Sequence, residues 1–337
     1  MEIALQLTRA TPTTSPMRST FGTRPIDTRG LAGRLSSDAQ FDHRAETVSG
    51  RYLTGNGGGA TASVRCISML DSTPAPAGQL LREWRVRRRM SQLDLASEAG
   101  ISARHLSFVE TGRSRPSREM LLHLAENLDV PLRERNPLLM AAGYAPTYQA
   151  TDFDAPEMQS VRDAVERLLA AHEPYPAILV DRRWNLVSAN RAATVLVDGV
   201  APELIAPNCN VLRASLHPQG LAPRIVNIAP WSAHVIDNLR RQIAVTGDDE
   251  LRELERELLG YARDMGVTVP PPAEAPRAIA TTMRLRTQWG ELALMTLIAT
   301  FGTALDITLA ELSLETFLPA DPATAAALYE RMNSGSA

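Results

Sequence analysis

The sequence contains no lysine and only two cysteines. All 35 basic side chains are therefore arginines, which we interpret as the codon bias of a GC-rich bacterial genome. Cys66 and Cys209 lie far apart and have neither CxxC nor Cys/His partner spacing. The sequence thus indicates neither a disulfide framework nor a zinc site.

Long apolar segments are also missing. No run approaches the ~20 residues that cross a bilayer, and no compact apolar segment follows a basic start, as it would in a secretory signal. With 44% hydrophobic residues, the chain is expected to be soluble and cytoplasmic, without membrane contact.

The familiar catalytic motifs are absent as well. The sequence has no GxSxG, no HExxH, no phosphate loop and no Cys/His nucleophile spacing. His217 could serve as a base, but no partner for it is identifiable. We therefore expect no enzymatic activity, no metal and no cofactor.

Charge is distributed unevenly along the chain. Residues 78–150 carry eleven arginines and eight acidic residues, a net charge of +3, whereas the whole chain has −3. This asymmetry is typical of a basic DNA-binding domain joined to an acidic partner domain.

The first 77 residues are rich in Thr, Ser, Gly, Pro and Arg and show no sustained apolar period. Such a segment cannot bury enough apolar area to offset chain entropy, so we predict a disordered leader. Met69 just precedes the first periodic segment, and translation from Met69 is a hypothesis.

Helical periodicity begins at Gln79 and predicts a five-helix, all-α domain over residues 78–144. The predicted helices cover residues 79–88, 91–98, 102–110, 117–127 and 131–142. Plausible N-caps are Ser91, Ser102 and Ser117. Gly100 and Gly112 follow the second and third helices, where a left-handed residue is often required.

The segment 91–112 has the pattern of two helices that cross closely at Ala96 and turn at Gly100. Its second helix would bury Ile101, Leu106 and Val109. The positions left exposed would face the major groove of DNA: Ser102, Ala103, Arg104, His105, Ser107 and Phe108. Residues 79–143 resemble the Xre/phage-repressor (Cro/C1-type) helix-turn-helix family.

The resemblance implies particular roles. Gln92 would cap the second helix against a phosphate, and Ala103, Arg104 and Phe108 would face base edges. Arg85 and Glu110 would form a buried ion pair, and Arg113, Arg115 and Arg118 would grip backbone phosphate. Ala103 and Phe108 replace polar residues common in the family, so base readout would rest on Arg104, with Phe108 touching a thymine methyl.

A linker is predicted at residues 145–156, followed by an α+β domain with an antiparallel sheet over 157–330 and a tail at 331–337. Strand-like runs at 177–180 and 184–187 flank Asp181 and predict a hairpin. Residues 157–171, 232–246 and 248–264 look helical. Further strands are expected at 278–287, 291–300 and 305–315.

The order of elements from Ala177 to Ala193 resembles the opening of PAS sensor domains: a strand, an Asp turn, a second strand, an Asn and a short helix. Together with the N-terminal domain, residues 152–330 resemble the MmyB-like regulators. The segments that carry this likeness are 210–213, 216–218, 228–231, Trp289-Gly290 and 315–321. The resemblance implies a pocket for a small apolar molecule such as a fatty acid or an acyl group.

Candidate ligand contacts occur on two predicted strands. Met283 with Leu285, and Met295 with Leu297, alternate so that each pair shares one sheet face, and methionine suits an adaptable apolar lining. Core filling is the alternative for all four, and for Trp184 and Trp231.

The sequence therefore predicts a transcriptional regulator associated with the nucleoid. It would bind double-stranded DNA at a palindromic operator as a homodimer and respond to an apolar ligand. Residues 157–171 and 232–264 are candidates for the dimer surface. Alternatives are an antitoxin-like protein that masks a partner, and a PAS domain that senses redox state or a cofactor.

Overall fold

The computed structural model of the protein describes residues 76–269 and 281–334. The predicted leader and the hypothetical start at Met69 lie outside the described residues, apart from the last two positions of the leader. Ala77 already begins the first helix.

Five helices form the N-terminal domain, as the periodicity predicts. They are α1 (Ala77–Arg87), α2 (Gln92–Glu98), α3 (Ala103–Glu110), α4 (Arg118–Asn127) and α5 (Leu132–Ala141). Each end lies within two residues of its predicted position. Leu81, Leu95, Leu106 and Leu124 are fully buried between them and form the centre of the domain.

Serine caps explain why three of these helices begin where they do. Ser91 accepts a hydrogen bond from the Asp94 amide, and the Asp94 carboxylate accepts one from the Ser91 amide, which makes a complete capping box. The hydroxyls of Ser102 and Ser117 accept from the amides of His105 and Met120 and so cap α3 and α4. Each cap satisfies a backbone N–H that the helix itself leaves unpaired.

The connecting segment, residues 145–155, contains no helix or strand but is fixed at both ends. Asn136 on α5 accepts hydrogen bonds from the amides of Thr147 and Tyr148 and donates one to the Tyr148 carbonyl. Further along, Asp306 accepts from the amide and hydroxyl of Thr151. The predicted linker is therefore bound to the domains that it connects.

The C-terminal domain combines helices with a five-stranded sheet. Its helices are α6 (Gln159–Ala171), α7 (Val211–Leu216), α8 (Ile228–Thr246), α9 (Asp249–Asp264), α10 (Ile307–Ala310) and α11 (Pro322–Ser334). Its strands are β1 (Ala177–Val180), β2 (Leu186–Ala189), β3 (Thr282–Thr287), β4 (Gly290–Thr300) and β5 (Ser313–Pro319). Short 3₁₀ turns cover Pro156–Met158, Arg191–Leu196, Pro202–Leu204 and Ala222–Arg224.

The sheet order is β2-β1-β5-β4-β3, and every neighbouring pair is antiparallel. The predicted α+β class with an antiparallel sheet is confirmed. Helices α8 and α9 cover one face of the sheet. Ile236 of α8 and Leu258 of α9 belong to the same core as Ile178 and Phe317 on that face.

On the opposite face of the sheet, α6 packs against β1, with Val187 of β2 and Leu314 of β5 at the edge of the same cluster. Val165 and Leu169 of α6 pack there against Ala177 and Leu179. None of the described helices combines the length and the apolar character that a membrane span requires.

Three predicted elements are placed differently. The strand predicted at 305–315 is wrong, because Asp306 caps α10 and strand β5 starts only at Ser313. The tail predicted from 331 is wrong, because α11 continues to Ser334 and Arg331 donates to the Thr194 hydroxyl.

The second hairpin strand begins at Leu186 and not at residue 184, since Trp184 lies in the turn with a φ of 66°. The first residues of the strand predicted from 278, positions 278–280, lie outside the described residues.

Candidate functional site

Helix α3 is anchored by one side and exposed on the other. Leu106 and Val109 are buried in the N-terminal core, whereas Arg104 is exposed. The Arg104 guanidinium carbon lies 5.4 Å from the centre of the Phe108 ring, and that of Arg113 lies 6.0 Å from it. Cation–π contacts of this kind hold the two arginines near the exposed side of α3.

The six groove-facing positions expected on α3 differ in exposure. Ser102 and Arg104 are exposed, and the other four, Ala103, His105, Ser107 and Phe108, are half-buried. The Ser102 hydroxyl is engaged as the cap of α3, and Ala103 packs against the core. Arg104 is therefore the charged group that this side of α3 offers to a partner.

Three further arginines surround the end of α3 and the start of α4. Arg113, Arg115 and Arg118 are all exposed. Arg115 donates to the Ala142 carbonyl at 2.8 Å, and Arg118 donates to the Thr147 hydroxyl at 2.7 Å. Each of these two uses one terminal nitrogen for these bonds, and a guanidinium has further N–H donors for phosphate. Their contact with phosphate stays a prediction.

The structure contains the ion pair expected between Arg85 and Glu110. Two parallel bonds of 2.6 and 2.9 Å join them, and the Glu110 side chain is only 1% exposed. Gln92 donates to the same carboxylate at 2.8 Å. Burial acts to raise the pKa of Glu110, but the hydrogen bonds from Arg85 and Gln92 outweigh it and hold that pKa below its usual value. This cluster joins α1, α2 and α3.

A cavity of about 80 Å³ lies in the C-terminal domain between the sheet and helices α7 and α8. Of the sequence-predicted contacts, Trp184, Trp231 and Met283 line it. The other lining residues are Ile178, Leu186, Ala189, Ala193, Leu196, Val197, Cys209, Val211, Leu212, Ala214, Ser215, Leu221, His234, Val235, Asn238, Thr296, Ile298, Glu315 and Phe317. The lining is thus largely apolar.

The other three predicted contacts are not part of this lining. Leu285 is buried in the core beside the cavity. Met295 and Leu297 are exposed by 36% and 56%, on the face of the sheet that points away from the cavity. The register explains this, because Leu294 is opposite Met283, so that the even-numbered residues of β4 face inward. We therefore assign no ligand contact to Met295 or Leu297.

Few polar groups reach the cavity, and the titratable ones are shifted toward their neutral forms. Burial raises the pKa of Glu315 to about 7 and also raises that of the Cys209 thiol. Burial likewise lowers the pKa of His234, whose Nε2 lies 3.1 Å from the Asn238 amide nitrogen. Within the described residues, no group of three or more His, Cys, Asp or Glu side chains could hold a metal ion.

Trp184 enters the cavity from a constrained turn between β1 and β2. Its positive φ is uncommon for a residue with a side chain and persists where the surroundings fix it. Asp181 fixes the turn by accepting from the amides of Arg183 and Asn185, each at 2.8 Å. The Trp184 indole donates to Gln242 on α8 at 2.7 Å. The Trp184 side chain is therefore positioned by the Asp181 turn at its backbone and by Gln242 at its indole nitrogen.

Comparison with protein families agrees with this division of the chain. A helix-turn-helix model matches residues 81–135. The model of the MmyB-like transcription regulator ligand binding domain matches residues 161–330, half of the chain. The chain belongs to this MmyB-like family. A comparison with curated proteins found no match.

Both family resemblances expected from the sequence are thereby confirmed. The protein is a DNA-binding transcription regulator with a ligand-binding domain.

The MmyB-like domain makes ion pairs and hydrogen bonds with the helix-turn-helix domain. Arg133 on α5 donates to both carboxylate oxygens of Glu311, at 2.8 and 2.7 Å. Arg182 lies 3.7 Å from the same carboxylate and pairs with Asp248 at 2.7 Å. Arg87, at the end of α1, donates to the Thr246 carbonyl at 3.0 Å. These contacts join the helix-turn-helix domain to the ligand-binding domain.

The cavity and the groove between the two domains share part of their walls. Trp184, Asn238 and Ile298 line both. The groove is completed from the helix-turn-helix side by Trp84, Arg87 and Arg133, among others. Because protein interiors are close-packed, a side chain displaced on one side of a shared wall displaces atoms on the other.

Loss of the Arg133 guanidinium is expected to loosen this contact locally. Arg133→Ala should speed amide hydrogen exchange in α10 and near Thr151 severalfold, because Glu311 loses its bidentate partner. Exchange in α3 should not change. Hydrogen exchange of the full chain, followed by mass spectrometry, measures this, and the exposed Arg286→Ala is the control. Unaltered exchange in α10 would show that the ion pair does not hold the contact.

Two functional features are not predicted from the sequence. Glu315 occurs there only as part of a family segment, although strand alternation places it on the same face as the apolar Phe317, which is a usable signal. Arg133 and Glu311 lie 178 residues apart, and nothing local in the sequence relates them.

Proposed function

We propose that the protein binds a palindromic operator as a homodimer and that a small apolar ligand in the cavity changes its affinity for DNA. The proposal includes action in the cytoplasm, on nucleoid DNA, without enzymatic activity. The observation that carries it is the shared wall of Trp184, Asn238 and Ile298. Through this wall a ligand could favour one arrangement of the DNA-binding helices over another, and such a difference in affinity is what regulation requires.

The homodimer is favoured by the surface of the C-terminal domain. Leu168 on α6 and Leu297 on β4 are exposed by 52% and 56%, on the same side of the sheet. A contiguous exposed apolar patch often marks an interaction surface, and we propose that these two residues contribute to one. Helices α6, α8 and α9 remain candidates for the dimer contact. A two-fold dimer would span half-sites about one helical turn, roughly 34 Å, apart.

The ligand proposal rests on the apolar lining, which suits a fatty acid or another aliphatic molecule. A cavity of about 80 Å³ is smaller than an engineered cavity of about 150 Å³ that binds benzene. A chain of several carbons must therefore widen the cavity and displace its walls. This displacement is what we propose the DNA-binding domain detects.

Binding of the full chain to duplexes from its own genome, including the region upstream of its gene, tests the proposal. We expect saturable, salt-sensitive binding with two chains per operator by native mass spectrometry. Lipid extracted from the host should change the affinity. A single chain per operator would contradict the dimer, and affinity indifferent to every extracted fraction would contradict ligand control.

Arg104→Ala is expected to weaken operator binding by about 1–3 kcal/mol and to relax preference at one base pair, because an arginine that reads a base contributes both affinity and discrimination. Fluorescence anisotropy with operators altered one position at a time measures this. Arg118→Ala should weaken binding evenly across sequences, and Arg286→Ala, remote on β3, should change nothing. Unchanged affinity and base preference would remove Arg104 from the proposed role.

A further inference from the structure

Glu315 stands out among the residues that line the cavity. It lies on β5, opposite Ile178 of β1 and Ile298 of β4. Its neighbour on the same face is Phe317, part of the apolar core. Glu315 is only 9% exposed, and it is one of the residues that line the cavity.

No group in the described residues, 76–269 and 281–334, satisfies this carboxyl. No hydrogen bond or ion pair joins it to any of them, and burial is the sole cause of its raised pKa. None of the described lining residues is an arginine. His234 and Cys209 are the other titratable groups of the lining, and burial shifts both toward their neutral forms.

A buried carboxylate without a partner is costly, so a molecule that supplies the missing donors gains by binding beside it. An ammonium group has three N–H donors and a positive charge. A carboxylate head would instead bring a second negative charge into a cavity whose described lining holds no arginine to separate the two. The lining thus discriminates between head groups as well as favouring an apolar chain.

On the basis of the ligand-controlled function proposed above, we propose that the cavity binds an aliphatic amine whose ammonium head donates to the Glu315 carboxylate. The chain lies against the apolar walls formed by residues such as Trp184, Trp231 and Met283. This arrangement names the chemical class of the ligand and makes Glu315 the residue that selects it.

The proposal makes a prediction about pH. An aliphatic amine has an ordinary pKa near 10 and stays charged through neutral pH, whereas Glu315 ionises around pH 7. Amine affinity should therefore rise as pH increases from about 6 to about 8. Carboxylate affinity should fall over the same interval, since ionised Glu315 repels it.

Isothermal titration of the full chain with octylamine, octanol and octanoate tests this, because the three share one chain and differ in the head. At about pH 8 we expect octylamine to bind at least tenfold more tightly than either of the others. The near-isosteric Glu315→Gln should abolish this preference and leave octanol binding unchanged. Glu330→Gln, an exposed carboxyl on α11, is the control.

The inference is overturned if octanoate or octanol binds as tightly as octylamine at about pH 8, if Glu315→Gln keeps the preference for the amine, or if none of the three binds. Operator affinity measured in the same samples separates this inference from the proposed function. An amine that binds through Glu315 without changing operator affinity supports the site and contradicts ligand control. A host lipid that lacks an amine but changes operator affinity would support ligand control and contradict the amine site.

Discussion

Replacement of Glu110 by alanine is expected to abolish operator binding by the full chain. The carboxylate holds Arg85 and Gln92 at once, so its loss leaves a buried guanidinium without its charge partner. Removing one partner of a buried pair typically costs about 3–5 kcal/mol. The N-terminal domain has five short helices, and this cluster joins three of them, so the loss should open the whole domain.

Hydrogen exchange of α1, α2 and α3 in the full chain measures this loss, and operator binding provides the second measurement. Glu98→Ala, an exposed carboxyl at the end of α2, should change neither. The double variant Arg85→Met with Glu110→Leu should recover much of the stability, because apolar residues of similar volume often replace a buried pair without cost. Slow exchange retained in Glu110→Ala would contradict the role assigned to the cluster.

The same carboxylate sets the response of the N-terminal domain to acid. Because the pKa of Glu110 in the folded chain lies below its usual value, its contribution to stability is present above its unfolded pKa. That contribution is lost as the pH falls through the folded pKa. The domain should therefore open in acid.

Glu315→Gln is expected to stabilise the unliganded protein by up to about 3 kcal/mol at pH 8 and hardly at all at pH 4. The pKa of Glu315 rises from 4.5 to about 7 on folding, and each unit corresponds to about 1.4 kcal/mol. The sign follows from linkage: below the unfolded pKa the group is protonated in both states. As pH rises toward 7, ionisation favours the unfolded chain and stability falls.

Urea unfolding of the full chain at the two pH values, followed by tryptophan fluorescence, measures this effect. Wild type should lose stability between about pH 4.5 and pH 7, and Glu315→Gln should lose less. Glu330→Gln should behave as wild type. An equal pH dependence in Glu315→Gln and wild type would show that the Glu315 carboxyl is not buried as described. A residue that destabilises the free protein in this way is consistent with selection for binding and not for stability.

Where local chemistry determines structure, the sequence was sufficient to predict it. The helices of the N-terminal domain begin at Ser91, Ser102 and Ser117 because a hydroxyl beside a helical period satisfies the first amides. Gly100 has the positive φ that its place after α2 predicts. These signals lie within a few residues of the feature that they specify.

The strands were harder to predict, because alternation identifies a strand but not which of its faces is buried. Met295 and Leu297 satisfy the alternation as well as Leu294 does, and only the pairing with β3 decides between them. At the third predicted strand a local signal was overlooked. Asp306 accepts hydrogen bonds from the amides of Thr308 and Leu309 and so starts a helix.

Contacts between the two domains, and the surroundings of the cavity, could not be predicted from the sequence. The partner of Arg133 depends on how two domains dock, and the lack of a partner for Glu315 among the described residues depends on every element around the cavity. For Gln92, the resemblance implies contact with phosphate, while the unbound structure shows its amide donating to Glu110. The contact of Gln92 with phosphate stays a prediction.

The fixing of residues 145–155 by Asn136 and Asp306 bears on how operators are discriminated. A DNA-binding domain on a flexible linker would accept half-sites at several separations, since a flexible chain adjusts its end-to-end distance at little cost. In the proposed homodimer each DNA-binding domain is held in place instead. One inserted base pair shifts a half-site by roughly 3.4 Å and also turns it around the duplex axis. The short connection cannot adjust to either displacement. The spacing between half-sites therefore contributes to operator recognition.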